Sequence, residues 1–150
     1  MHARLVSFVL TASFIVVAPA FAQGTARGRY YTKSDVDRVI KRLENNTDAF
    51  KKAVDRDLDK SVLDGSKRED RMNDQIQDLD DATDRLRDKF DKSDRWEETK
   101  DNVQDVLREA RDINDLYNRT PAYSKVKQYW MAVKTDANTL AGIYNLKKIQ

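Results

Sequence analysis

Four stretches of the chain place apolar residues in steps of three and four, the spacing that keeps one face of an α-helix apolar. The first runs through Val36, Val39, Ile40, Leu43, Phe50, Val54, Leu58 and Val62. Thr32 and Asp35 form a capping box at its start, with Tyr31 and Val36 placed as a hydrophobic staple. Gly65 in "LDG" is suited to stop it. The second stretch opens on the capping box "SKRE", Ser66 to Glu69, and carries Met72, Ile76, Leu79, Thr83, Leu86 and Phe90. The third follows "DKSDR", in which Ser93 or Asp94 can cap, and carries Trp96, Val103, Val106, Leu107, Ala110, Ile113, Leu116 and Tyr117. Asn118 can end it. Thr120 and Pro121 then supply a cap and a first helical residue. The fourth stripe is Tyr123, Val126, Trp130, Val133, Ala137, Leu140 and Tyr144.

No strand-like alternation appears. Each helix is about 25–30 residues, or roughly 40 Å long. Equal lengths joined by short turns predict an all-α, antiparallel up-down-up-down four-helix bundle over residues 32–150. "DKSDR" contains neither Gly nor Pro, so the alternative is an elongated helical coiled coil in which helices two and three are continuous. Residues 23–31, "QGTARGRYY", show no period and read as a flexible arm. "LENNTDAFKKAVDR" from Leu43 echoes "LDDATDRLRDKFDK" from Leu79. Charged amphipathic helices share such patterns without common descent.

Inside "LENNTDAF", where the next apolar residue is due, the chain offers Asn46 and Thr47. Folding the helices about their turns puts Thr47 beside Thr83, Val103 and Ala137, a layer of small or polar residues. The same folding sets Phe50 level with Val133, Val54 level with Trp130, and Ile40 beside Phe90, Trp96 and Tyr144. Two readings of the Thr47–Thr83 layer follow. Both hydroxyls bond to carbonyls one turn back and the layer fixes helix register. Alternatively the layer encloses a small cavity for water or a ligand.

The first residues change the picture of where this bundle resides. "MHARLVSFVLTASFIVVAPAFAQ" has Arg4, an apolar run from Leu5 to Ala18, and small residues at Ala20 and Ala22. That is the form of a secretory signal peptide, cleaved after Ala22. The run is shorter than the ~20 residues of a membrane-spanning helix, and Pro19 follows it. No cysteine stands at the cleavage site to carry a lipid. Residues 23–150 then form one domain, secreted or periplasmic, with no transmembrane segment. The sole histidine, His2, leaves with the signal, and the chain has no cysteine. The usual ligands of zinc, copper, haem and iron–sulfur clusters are therefore missing, and so are Cys and Ser–His nucleophiles. No catalytic, cofactor-binding or metal-binding residue is assigned, and no cofactor is expected.

Charge is uneven along the chain. Residues 64–120 carry an excess of acids, with Asp74, Asp78, Asp80, Asp81 and Asp84 uninterrupted by a base. In residues 121–150, Asp136 is the single acid among five lysines. The acidic run reads as a solvated face that attracts the basic regions, with weak divalent-cation binding as the functional alternative. "DRDLDKSVLDGS" begins like an EF-hand, but Lys60 replaces the turn glycine and Ser66 the bidentate glutamate. "NNT" and "NRT" match N-glycosylation acceptors, which matters only in a eukaryotic host. The basic residues are too sparse for nucleic acid. Tyr129 and Ile143 lie off the main stripe of helix four and are expected to form an exposed apolar strip for a partner. No family-specific motif is present; the LTxxQ-type motif of small periplasmic helical chaperones is absent. The reading is a secreted or periplasmic, non-enzymatic bundle that binds an unknown protein or envelope surface. The alternative is a chaperone-like or lipid-binding protein whose helices open.

Overall fold

A computed structural model of the chain describes residues 25–26, 29–58 and 66–150. The expected signal segment with its cleavage near Ala22, and Val62 and Gly65, where the first helix is expected to continue and stop, lie outside the described residues. Helix α1 spans Lys33–Leu58, α2 Lys67–Lys92, α3 Lys100–Arg119 and α4 Lys127–Ile143. Buried apolar residues of all four helices form one continuous core. The cross-helix pairs fix the directions. Late α2 meets early α1 through Arg87, which reaches Asp37 at 2.8 Å and Glu44 at 2.9 Å. Late α1 meets early α4, where the rings of Phe50 and Trp130 are 5.6 Å apart. The end of α4 meets the residues before α3, where the Trp96 and Tyr144 rings pack edge-on at 5.0 Å. The molecule is thus the expected antiparallel four-helix bundle, with α2 and α3 separate.

Local chemistry sets the helix ends. The amide of Asp35 donates to Thr32 Oγ1 at 3.1 Å, and the amide of Thr32 donates to Asp35 Oδ2 at 3.0 Å. Both orphan donors of the first turn are so satisfied. Ser66 caps α2 by accepting from the Glu69 amide at 3.3 Å. Ser93 acts differently from expectation. It is the C-terminal cap of α2, its amide donating to the Phe90 carbonyl and its hydroxyl to the Lys89 carbonyl, rather than the start of a new helix. A 3-10 turn, Trp96–Thr99, leads into α3. The Thr99 hydroxyl contacts the Tyr144 hydroxyl at 2.7 Å and donates to the Trp96 carbonyl at 2.8 Å, which ties this end of the bundle together. Burial pushes the Tyr144 hydroxyl up to about 12, so it remains a neutral donor.

The fourth helix also departs from expectation at its start. Pro121–Val126 is 3-10 helix. Tyr123 and Val126, three residues apart and fully buried, share a face at three residues per turn. The Tyr123 hydroxyl donates to the Arg68 carbonyl at 2.8 Å. Six residues rising ~2.0 Å instead of ~1.5 Å carry α4 roughly 3 Å further along the bundle. Trp130 packs on Phe50, one turn from the Val54 with which counting from the turns sets it level. The arm differs as well: Thr25–Ala26 (β1) and Arg29–Tyr30 (β2) pair antiparallel, Thr25 opposite Tyr30.

Thr47 and Thr83 are both buried, as the layer requires. Only Thr83 bonds one turn back, to the Leu79 carbonyl at 2.8 Å. Thr47 Oγ1 has no hydrogen-bond partner among the described residues. The two threonines should therefore respond oppositely to removal of the hydroxyl. Thr47→Val is expected to stabilise the protein by about 1 kcal/mol, because a desolvated orphan is removed. Thr83→Val should be neutral or cost up to about 1 kcal/mol, because a formed bond is lost. Urea unfolding of the two single variants reads the difference in sign.

Candidate functional site

The two residues expected to form an exposed strip are not exposed together. Ile143 is 2% exposed and belongs to the core. Tyr129 is half-buried, packs against the core, and neighbours Arg56 near the far end of α1. Fourteen residues of helix, about 21 Å, separate them. Their stripe turns inward because β1 rests against α4 and because α4 packs closely along α1. What the sequence could not show is that the arm folds back over Ile143.

That fold-back creates a cleft of about 460 Å³ lined by Tyr30, Tyr31, Asp35, Arg38, Val39, Arg42, Thr139 and Ile143. Successive residues at a strand end point to opposite sides. Tyr31 is half-buried against the core, while Tyr30 is 69% exposed. Val39 and Ile143 supply an apolar floor, and the rim is charged. Arg38 pairs with Asp35, and Arg42 pairs with Asp136 of α4 at 2.8 Å. The backbone and hydroxyl of Thr32 hold the Asp35 carboxyl below its usual range, aided by Arg38. Asp35 is therefore an anion committed to the cap, and among the described residues it is the one carboxylate lining the cleft. Apolar floor, aromatic lip and neutralised basic rim suit a binding surface.

Beneath the rim lies the pair that answers the irregularity in "LENNTDAF". Asp136 is 4% exposed. Its Oδ1 accepts from Arg42 Nε at 3.1 Å and Nη2 at 2.8 Å, and its Oδ2 accepts from Asn46 Nδ2 at 2.8 Å. Asn46 is polar because it faces a buried carboxylate. A signal was present: Asp136 stands three residues after Val133 and four before Leu140, on the core stripe itself.

Other charged surfaces offer less. A hollow of about 290 Å³ mixes Arg68, Arg71 and Arg119 with Asp112 and Asp115. On the acidic face, Lys51 Nζ binds Asp80 and Gln77, each at 2.8 Å. Among the described residues no three acidic groups converge closely enough to hold a metal ion. Asp84 is raised above its ordinary value, first by desolvation and then by Asp80, Glu44, Asp81 and Asp48. A raised carboxyl opposes folding while it is charged in both states. As pH falls through its folded value the native state takes up the proton first, and below the unfolded value of 3.8 the penalty is gone. Asp84→Asn should therefore raise the melting temperature at pH 7, and the gain should vanish by about pH 3.8 in melts across that range.

Comparison with protein-family models, with curated proteins and with solved structures finds no match to this chain.

Proposed function

We propose that the protein is a non-enzymatic binding module of the cell envelope, secreted or periplasmic after cleavage near Ala22. It grips a protein or envelope-surface partner at the cleft beneath Tyr30. The observation that carries this reading is Tyr30 itself. Large exposed apolar side chains among the described residues are Tyr30 and Met131 alone, at 69% and 45%. Tyr30 stands over a ready apolar floor, and an exposed aromatic beside a concave surface is the usual anchor of an interface. The contacts described above all lie after Ala22, so loss of residues 1–22 removes none of them.

Expression from the full sequence in a bacterial host, with fractionation and N-terminal sequencing, should give a periplasmic chain starting at Gln23. A cytoplasmic, uncleaved chain would refute the location. A photo-crosslinking residue at position 30 should capture a discrete envelope species that the same residue at the exposed Lys52 of α1 does not. Equal capture at the two positions would refute the site. An apolar dye tests the alternative of helices that open, since a closed bundle leaves its emission unchanged.

A further inference from the structure

Helix α4 ends in a left-handed turn. Asn145 has φ 53°, and the Leu146 amide donates to the Ala141 carbonyl at 2.8 Å, closing the six-residue motif that reverses a chain. Residues 145–150 then run back along α4 into the groove it makes with α3. Five extended residues cover ~16 Å, and the ten helical residues from Tyr144 back to Lys134 cover ~15 Å, so the segment is fully extended.

Side chains of the two helices hold this segment mostly by its main chain. Asn138 Oδ1 accepts from the Ile149 amide at 2.7 Å, and its Nδ2 donates to the Ile149 carbonyl at 3.2 Å. One amide side chain thus pairs with a residue as a neighbouring strand would. Arg111 Nη2 donates to the Lys147 carbonyl at 2.7 Å. Lys134 Nζ and Asn114 Nδ2 reach the Gln150 backbone oxygen at 2.6 and 3.1 Å, and Lys134 also fixes Asn114 Oδ1 at 3.0 Å. Of the segment's own side chains, Ile149 is buried and Leu146 half-buried, while both lysines face solvent. A hollow of about 320 Å³ remains beside Leu146, over Ala141 and Gly142.

We propose that the α3–α4 groove is a peptide-docking groove, occupied here by the chain's own residues 145–150. A separate extended peptide with two aliphatic residues three apart can take their place. Donors and acceptors aimed at main-chain atoms recognise any extended segment, and the Ile149 pocket supplies the side-chain selection. The tether holds the resident segment at an effective concentration in the millimolar range, so it acts as a plug. This groove shares no residue with the cleft beneath Tyr30, and either site stands if the other fails.

The probe is a fluorescent peptide, Asn-Leu-Lys-Lys-Ile-Gln, followed by polarisation against the full chain. Wild type should bind it at least tenfold more weakly than Ile149→Ser, whose own segment is loosened. Adding Asn138→Ala to Ile149→Ser should cost at least tenfold. Equal binding by wild type and Ile149→Ser, or none by an Ile149→Ser that melts as a folded bundle, overturns the proposal. Hydrogen exchange on wild type decides it should that variant not fold. The Ile149 amide should exchange by local opening, well before Leu140 of α4; simultaneous exchange of the two overturns the plug. A wild-type dimer with exchanged 145–150 segments would overturn the separate peptide in favour of a second copy.

Discussion

Replacing Asn46 with leucine, the residue type its helical stripe calls for, should destabilise the protein by about 1–3 kcal/mol, because Asp136 Oδ2 loses its donor. Adding Arg42→Met strips the carboxylate of both described partners, and the loss should grow toward about 3–5 kcal/mol. Arg42 is 55% exposed, so water entering beside it will hold the loss to the lower part of that range. Adding Asp136→Leu should then reverse the effect. A well-packed apolar trio in place of a buried ionic one is often neutral, or more stable by about 1–4 kcal/mol. Urea unfolding of the single, double and triple variants at neutral pH gives the sequence down, further down, and back. A stabilising Asn46→Leu single variant would show that the amide does not serve Asp136.

That triad also shows what the sequence could and could not disclose. Caps are local, so Thr32 with Asp35 and Ser66 with Glu69 were legible from spacing alone. The core stripes were legible for the same reason, and counting from the turns placed Trp96 against Tyr144 correctly. Between α1 and α4 counting comes within one turn, since it sets Thr47 level with Ala137 and the neighbouring Asn46 and Asp136 are hydrogen-bonded. The polar insertion at Asn46 and Thr47 is visible in the sequence, where its nearest match on a neighbouring helix is Thr83. Its partner, Asp136, is ninety residues away and looked like one acid in a basic segment. The burial of Ile143 is not legible, because the arm before Tyr31 carries no pattern to announce that it folds back. Residues 145–150 were silent too. Their hold on the groove comes from side chains of α3 and α4 reaching main-chain atoms, and such contacts leave no periodicity in the segment that receives them.

The second large effect is expected at Trp130, the largest fully buried side chain, 1% exposed and tilted 44° against the Phe50 ring. Trp130→Ala should cost about 3–5 kcal/mol, the range for emptying an aromatic site that cannot collapse. The site lies within the core that the helices share, and the 3-10 turn before it is pinned by Tyr123 to the Arg68 carbonyl. Both features oppose relaxation and favour the upper part of the range. Phe50→Leu alone should be milder, since volume is partly kept. The double variant should fall short of the sum by about 0.5–1.5 kcal/mol, the coupling of an aromatic pair in contact. Urea melts should show a lower midpoint at an unchanged slope for each variant. Full additivity would mean that the two rings fill space independently, and that α1 and α4 take their register from the Asn46–Asp136 contact alone.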